Sequence, residues 1–399
     1  MSQRAPTTVA DRHLFNAVID ARSPAEFAED HLPGALNLPV LDDEERRIVG
    51  TLYKQHGAFE ARRLGGGMVA ANLGRHLRQS LAGMPSTWKP LVYCWRGGMR
   101  SGSMVTWLRM VGWDAQQLQG GYKRWRQHVM DTIARLAPQL PLRVLCGPTG
   151  SAKTRVLHAL AAQGAQVIDL EGLARHKGSL LGQWPGQPQP SQKAFETQLA
   201  TVLEGLDLSR PVFIEAESRK IGQIALPTPF VDSLRAGPCV EIQASVDTRL
   251  AYLLRDYAYL GHDPAALARR LLPLRELHGT QVVAQWQAWA HSQTLAPLFE
   301  ALATQHYDPL YARSQSGNFK LWAERRPIAA TSLDDEGIAQ VAQAVLAAVA
   351  SGGFMGKEQR SSKETKKPKK ESGPAKPIGS DRPVAPVTVV PVRGKLKNK

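Results

Sequence analysis

Cysteine is scarce in this sequence, and its scarcity excludes two ways of holding a small domain together. Only three cysteines occur, Cys94, Cys146 and Cys239, and they are far apart. They are too few and too scattered for a disulfide framework or a zinc site. We therefore expect a reducing compartment and at most one working thiol. Cys146 and Cys239 lie next to apolar residues and are interpreted as small buried side chains.

Long apolar segments are missing as well. No run of about 18 uninterrupted apolar residues occurs, so a membrane span is not expected. The first residues lack the apolar centre of a secretory signal. These absences favour a cytoplasmic protein without membrane association. A length of 399 residues allows two or three domains.

Aromatic residues are absent from residues 357–399, and acidic residues are few there. This segment carries 13 Lys/Arg and 4 Asp/Glu, so it contributes +9 to the net charge of +15. Its composition predicts a disordered basic tail over 351–399. Such a tail either attracts RNA without sequence preference or is solvated with no dedicated partner. The modestly basic remainder of the chain is the better indication of a polyanionic substrate.

Two α/β units are predicted before the tail. In the first, residues 10–135, a buried strand leads into a helix whose start is marked by Ser23 as N-cap and Glu26 as its capping partner. In the second, residues 141–350, strands alternate with helices, and a helical region runs from about 247 to 303. The sequence thus predicts an α/β fold with two parallel sheets, the second carrying helical additions.

The first reactive motif is a loop that opens with Cys94 at the end of an apolar strand. Arg96, Gly97, Gly98 and Arg100 follow, and then a helix. Backbone N–H groups and the positive end of that helix would stabilise a thiolate and cradle an anion. The arginines add forked donors that suit phosphate or thiosulfate-like groups. We predict that Cys94 is the nucleophile and that its four neighbours bind an anionic donor.

A phosphate-binding motif follows the next apolar run. Its spacing is G-x4-G-K-[ST], except that Ala152 replaces the second glycine, and we expect Ala to be tolerated there in helical φ/ψ. Lys153 would balance the charge of a diphosphate, and Thr154 would be placed to hold Mg²⁺. No adenine-binding signature is evident, so the choice between ATP and another diphosphate stays open. The predicted diphosphate-binding residues are Gly147, Thr149, Gly150, Ser151, Lys153 and Thr154.

Charged side chains stand near these loops in the sequence. Glu215 ends an apolar strand, where an acid that holds a metal-bound water would sit, although no dedicated metal-ligand set is predicted. Two basic groups suit RNA phosphates or a diphosphate, while a solvated charged face is the alternative for each. They are Arg175, His176 and Lys177, and Arg219 and Lys220.

The first unit resembles a rhodanese domain. The carrying residues are Asp20-Ala-Arg22, His31-Leu-Pro-Gly-Ala35, the Cys94 loop, and Gly120-Gly121 followed by Trp125. The resemblance implies that Cys94 carries a persulfide-type intermediate. The spacing Cys-x5-Arg from Cys94 to Arg100 exceeds the loop of simple rhodaneses and matches that of cysteine phosphatases. A longer loop leaves room for a tetrahedral phosphorus centre, which fits a phosphate-bearing donor.

Over most of its length, about residues 10–350, the chain resembles the bacterial tRNA 2-selenouridine synthase family. The carrying segments are Tyr93–Ser101, Gly120–Trp125, Gly147–Thr154, Asp169–Ser179, Gln189–Glu196, Glu215–Gly222 and His306–Tyr311. The resemblance implies that wobble 2-thiouridine in tRNAs for Lys, Glu and Gln becomes 2-selenouridine through an S-geranyl intermediate. It implies geranyl diphosphate and selenophosphate as substrates, and no tightly bound cofactor, with Mg²⁺ optional. Selenophosphate synthetase is the candidate selenium-donating partner.

Two rival functions are left open by the residues alone. One is a cysteine-dependent phosphatase or thiosulfate sulfurtransferase fused to a nucleotide-binding domain, which would use Cys94 directly but leaves the basic body unexplained. The other is a nucleotide-gated RNA-binding module with a chemically silent Cys94. Phosphate release from phosphotyrosine-like esters would favour the phosphatase. Tight tRNA binding without chemistry at the thiol would favour the binding module.

Overall fold

Eleven short strands occur in the computed structural model, which describes residues 6–184 and 186–351. They are β1 (Ala17–Asp20), β2 (Leu36–Asn37), β3 (Pro90–Tyr93), β4 (Gln116–Gln117), β5 (Leu142–Cys146), β6 (Gln166–Ile168), β7 (Val212–Glu215), β8 (Lys220–Ile221), β9 (Ile224–Ala225), β10 (Cys239–Gln243) and β11 (Arg326–Ala329). One sheet has the order β2-β1-β3-β4 and the other β11-β10-β5-β7-β6. All neighbouring strands in both sheets are parallel, whereas β8 and β9 form an antiparallel hairpin. The predicted α/β class with two parallel sheets is confirmed.

Helices cover both sheets and form the additions beyond the second. They are α1 (Pro24–Glu29), α2 (Asp43–His56), α3 (Ala58–Arg78), α4 (Met99–Val111), α5 (Gly121–Leu136), α6 (Lys153–Ala162), α7 (Leu170–Ala174), α8 (Gln192–Glu204), α9 (Thr228–Ala236), α10 (Val246–Asp256), α11 (Pro264–Leu271), α12 (Arg275–His278), α13 (Thr280–His291), α14 (Leu295–Ala301), α15 (Asp308–Asn318) and α16 (Asp335–Ala350). A π-helix, Leu302–Tyr307, connects α14 to α15. The helical region predicted from about 247 to 303 corresponds to α10–α14 and the short turns between them.

The start of α1 follows the predicted capping pattern. The Ser23 N–H donates to Glu26 Oε2 at 3.2 Å, and the helix begins at the next residue, Pro24. The hairpin of α2 and α3 was not predicted. Its first helix has no fully buried residue, and its apolar side chains Ile48, Val49 and Leu52 are only half-buried. The sequence does mark the start of α2 by its N-cap residue, Asp42, whose carboxylate accepts from the Glu45 N–H at 2.7 Å.

Both predicted loops lie at carboxyl ends of central strands. The thiol loop follows β3 and the phosphate loop follows β5. In the second sheet β7 lies beside β5, and Leu145 is paired with Glu215. Since parallel strands end at a common sheet edge, this pairing places Glu215 beside the phosphate loop.

The two α/β units share one apolar core. Trp125 and Val129 of α5 are buried in the same cluster as Phe195 and Leu199 of α8. Polar contacts join the same surfaces, since Arg126 pairs with Glu196 across the interface. The two units are therefore packed directly against each other.

The basic tail predicted for 351–399 lies outside the described residues, except for residue 351. Among the helices that the structure describes, none is long and apolar enough to cross a membrane.

Candidate active sites at the two loops

The Cys94 thiol lies at the amino end of α4, in a loop that closes around it. Its Sγ accepts hydrogen bonds from the Gly98 N–H at 3.3 Å and from the Ser101 hydroxyl at 3.1 Å. Ser101 accepts in turn from Gln117 Nε2 at 2.8 Å, which orients its hydroxyl toward sulfur. Donors aimed at sulfur stabilise the thiolate form that attacks electrophiles. Sequence reasoning missed Ser101, although it directly follows the arginine of the motif.

Two glycines allow the loop to adopt its shape. Gly97 has φ +66°, and a Cβ there would lie 2.8 Å from the Leu118 carbonyl oxygen. Gly121 has φ +55°, and its Cβ would lie 2.2 Å from the Cys94 carbonyl oxygen. Any side chain at either position would push the loops apart. This clash explains why glycine occurs at these two positions of the Gly-Gly pairs that carry the rhodanese resemblance.

The two arginines of the thiol loop differ in their surroundings. Arg96 is exposed. Arg100 is partly buried and forms a two-pronged salt bridge with Glu26, with Nη1–Oε2 at 2.6 Å and Nη2–Oε1 at 3.3 Å. Burial alone would raise the pKa of Glu26, but the bond from Arg100 lowers it below its ordinary value. Arg100 is thus held by a carboxylate, and an incoming anion must share or displace that partner.

The phosphate loop differs from expectation at Ala152. We expected right-handed helical φ/ψ at this position, and that expectation was wrong: Ala152 has φ 57° and ψ 29°, which is left-handed. The usual glycine adopts this conformation without strain, whereas a Cβ makes it unfavourable by about 1–2 kcal/mol. Gly147 and Gly150 also have positive φ, at +151° and +85°. The loop therefore keeps the wrapped backbone of the motif despite its alanine.

Lys153 and Ser151 complete the inside of the phosphate loop. The Lys153 ammonium donates to the Gly147 carbonyl at 2.9 Å and lies 6.0 Å from the centre of the Tyr311 ring. The Tyr311 hydroxyl accepts from the Gly147 N–H. The Ser151 hydroxyl is buried and has no hydrogen-bond partner within the described residues. A buried hydroxyl without a partner is costly, which is consistent with a ligand-binding role. Sequence reasoning missed Tyr311.

An acidic cluster faces the phosphate loop. Carboxylate oxygens of Glu171, Glu215 and Glu217 lie within 4.8 Å of one another, and the Thr154 hydroxyl donates to Glu171 at 3.0 Å. Burial, followed by the neighbouring charges, raises the pKa of Glu215 well above its ordinary value. Burial likewise raises the pKa of Glu171 to about 6 and that of Glu217 to about 8. Crowded carboxylates of this kind repel one another unless a proton or a cation is shared.

These groups fit a divalent cation. Three carboxylates and a threonine hydroxyl are the hard oxygen ligands that Mg²⁺ prefers. The Glu215 Oε1 atom is buried and has no hydrogen-bond partner within the described residues, so it has coordinating capacity left. Of the three carboxylates, only Glu215 was predicted. Glu171 was missed because it approaches Glu215 through the fold, whereas Glu217 follows Glu215 closely in the chain and could have been found from its spacing.

A clamp that sequence reasoning also missed holds the phosphate loop from the other side. Arg249 of α10 donates to the Thr149 carbonyl at 2.9 Å and forms a bidentate pair with Asp308, at 2.9 and 2.8 Å. The Arg249 side chain is only 6% exposed, so its buried charge depends on Asp308 for compensation. Arg249 thus ties the phosphate loop to the start of α15.

The predicted basic groups do not form one surface. Arg175 is exposed with φ +49°, whereas His176 is buried and its pKa is lowered by burial and then by Arg270. Lys177 pairs with Asp256 at 2.6 Å and lines the cavity beside the phosphate loop. The interpretation of 175–177 as a compact basic cluster is therefore corrected. Arg219 and Lys220 are exposed at the β8–β9 hairpin.

Matches to known protein families cover both the thiol loop and the phosphate loop. Residues 7–128 match the family model of the rhodanese-like domain, and residues 140–270 match that of the tRNA 2-selenouridine synthase AAA domain. One α/β unit carries a thiol loop on a rhodanese-like sheet, and the unit packed against it carries a phosphate loop on a second sheet. This combination defines a rhodanese–P-loop fusion protein.

Curated relatives narrow this class. Proteins named tRNA 2-selenouridine synthase from Nitrosomonas europaea and Alcanivorax borkumensis are 43% and 40% identical over 60% of this chain, and these matches span 63% and 66% of the relatives, just under two thirds of their length. One from Shewanella pealeana is 34% identical over 77% of this chain and 82% of its own length. The chain belongs to the tRNA 2-selenouridine synthase family.

Proposed function

We propose that the protein is a tRNA 2-selenouridine synthase that converts wobble 2-thiouridine to 2-selenouridine in two steps. The presence of two separate anion-binding loops in one packed unit carries this proposal, because each step uses a phosphate-bearing donor. The names of the relatives support tRNA as the substrate. Geranyl diphosphate and selenophosphate are the proposed donors, and the enzyme is then both a geranyltransferase and a selenotransferase.

In the first step, the thiocarbonyl sulfur attacks C1 of geranyl diphosphate. A C–S bond forms, the C–O bond to phosphate breaks, and diphosphate leaves. Lys153 and the N–H groups of the phosphate loop are suited to hold the diphosphate, and Thr154, Glu171 and Glu215 would hold Mg²⁺. A cation held there would neutralise charge on the leaving diphosphate and reduce the repulsion among the carboxylates.

In the second step, selenium replaces the geranylthio group. The selenium of selenophosphate attacks C2 of the uridine, a C–Se bond forms, the C–S bond breaks, and geranylthiol leaves. Water then cleaves the P–Se bond, and phosphate leaves. Alkylation has already turned sulfur into a better leaving group, which explains the order of the steps. Cys94, with donors from Gly98 and Ser101 on its sulfur, is the proposed catalytic residue at the site where selenophosphate delivers selenium. Arg96 and Arg100 are suited to hold the phosphate of the selenium donor.

The proposed partners follow from this chemistry. The tRNAs for Lys, Glu and Gln are the proposed substrates, and selenophosphate synthetase is the proposed source of the donor. Cytoplasmic placement remains part of the proposal.

Nucleoside mass spectrometry tests the proposal. The protein is incubated anaerobically with 2-thiouridine-containing tRNA, geranyl diphosphate and selenophosphate, and each donor is omitted in turn. We expect geranylated 2-thiouridine without selenophosphate and 2-selenouridine when both donors are present. An unchanged tRNA under every donor combination would reject the proposed function and revive the rival phosphatase.

A further inference from the structure

A narrow apolar cavity opens off the phosphate loop toward the helical additions. We call this cavity the apolar branch. Its walls include Leu181, Leu253, Phe299, Leu302 and Ala303, which all belong to the buried apolar cluster of the helical region. None of the residues that line it carries a charge. A lining of this kind favours a hydrocarbon over a polar group.

The apolar branch adjoins the cavity at the phosphate loop. That wider cavity has a volume of about 260 Å³ and is lined in part by Lys153 and Glu215. The two cavities share four wall residues, Thr149, Ser179, Leu253 and Tyr257. Leu253 packs directly over the loop, because a Cβ built on Gly150 would lie 2.9 Å from Leu253 Cγ. A single ligand can therefore place a charged head in the wide part and an apolar body in the branch.

This combination discriminates among ligands with a diphosphate. A nucleoside needs hydrogen-bond partners for its sugar and base. Burying those groups without partners weakens binding several-fold or more. The lining of the apolar branch offers no charged group and no amide side chain, and it is hydrocarbon along Phe299, Leu302 and Ala303. An unbranched or methyl-branched hydrocarbon gives up no hydrogen bonds there, and its transfer out of water favours binding.

We propose that the apolar branch binds the isoprenoid chain of a prenyl diphosphate whose head group lies in the phosphate loop. This inference rests on the proposed function, whose first step it locates. Leu302, Ala303 and Tyr307 belong to the π-helix, a backbone form that occurs frequently at functional sites. The branch itself measures about 30 Å³, so chain entry requires Phe299 and Leu302 to move aside. Because the branch is narrow, we expect the site to discriminate among prenyl diphosphates by the length of their hydrocarbon chain.

Binding measurements with a series of diphosphates test the proposal. Calorimetry with Mg²⁺ would compare inorganic pyrophosphate with the dimethylallyl, geranyl and farnesyl diphosphates. For the unaltered protein we expect geranyl diphosphate to bind at least about tenfold more tightly than pyrophosphate, since several buried carbons contribute. Equal affinities for these two ligands would overturn the proposal.

Two wall variants act in opposite directions. Ala303→Leu fills the apolar branch and should weaken geranyl diphosphate at least about tenfold while pyrophosphate changes less than about twofold. Ala284→Leu, at an exposed position on α13, is the matched control and should change neither. Phe299→Ala widens the branch and should shift preference from the geranyl toward the farnesyl compound. An unchanged order of chain lengths in both wall variants would overturn the proposal.

The tRNA assay separates this inference from the proposed function. If the unaltered protein geranylates tRNA but neither wall variant changes chain-length preference, the location of the chain is refuted and the reaction stands. If no prenyl diphosphate binds better than pyrophosphate and no geranylated nucleoside forms, both are refuted. Selective loss of geranylation in Ala303→Leu, with pyrophosphate binding intact, supports both.

Discussion

The charge on Glu171 should reduce the stability of the ligand-free protein. This side chain is 8% exposed, and burial raises its pKa to about 6 from an ordinary value of 4.5. The difference corresponds to about 2 kcal/mol, at about 1.4 kcal/mol for each pH unit. For an acid whose pKa is raised by folding, this cost is absent below about pH 4.5, grows up to about pH 6 and is complete above it. Glu171→Gln keeps an oxygen acceptor for the Thr154 hydroxyl but removes the charge.

We therefore expect Glu171→Gln to stabilise the ligand-free protein by about 2 kcal/mol at pH 7.5 and to have little effect near pH 4.5. Urea unfolding in the presence of a chelator, at both pH values, measures the difference. Glu276→Gln, at an exposed position on α12, is the control and should change stability by less than about 0.5 kcal/mol. A destabilised Glu171→Gln at pH 7.5, or an equal gain at both pH values, would refute the reasoning about buried charge.

Three further predictions concern the loops themselves. Ala152→Gly should stabilise the protein by about 1 kcal/mol in urea unfolding, because glycine adopts the left-handed backbone without strain. The control, Ala161→Gly on the exposed face of α6, should destabilise the protein. A loss of stability in both variants would contradict the left-handed conformation of Ala152. Arg249→Ala should cost about 3 kcal/mol in the same assay and weaken pyrophosphate binding, since it leaves Asp308 and the Thr149 carbonyl without their partner. Unchanged pyrophosphate affinity would show that the clamp does not shape the loop. Ser101→Ala removes a hydrogen-bond donor to the Cys94 sulfur and should slow alkylation of that sulfur by iodoacetamide about fivefold at pH 7. Ser103→Ala is the control and should not slow it, because the Ser103 hydroxyl donates to the Arg100 carbonyl instead.

The parts of the site that are contiguous in sequence could be predicted from it. The Cys94 loop and the phosphate loop each follow a buried strand and lead into a helix, so strand, loop and helix could be recognised together. The start of α1 was predictable for the same reason, because Ser23 and Glu26 are only three residues apart and contact each other. Local chemistry decides such features before the chain folds.

The long-range partners could not be predicted. Arg100 meets Glu26 at the first sheet, and Arg249 meets the phosphate loop at the second, only because separate elements pack there. The carboxylate of Glu171 joins Glu215 from a separate segment, α7. The conformation of Ala152 was missed for another reason: the wrapped loop imposes it against the preference of the residue.

The central claim is that the two loops divide the reaction, and nucleoside analysis of two variants tests it most directly. Cys94→Ser and Lys153→Ala are incubated separately with 2-thiouridine-containing tRNA and both donors, and a second sample receives tRNA that is already S-geranylated. The account predicts that Cys94→Ser accumulates the geranylated nucleoside and makes no selenouridine from either tRNA. It predicts that Lys153→Ala fails on the thiolated tRNA but converts the geranylated one. Selenouridine formation by Cys94→Ser, or failure of Lys153→Ala on geranylated tRNA that it still binds, would contradict the division.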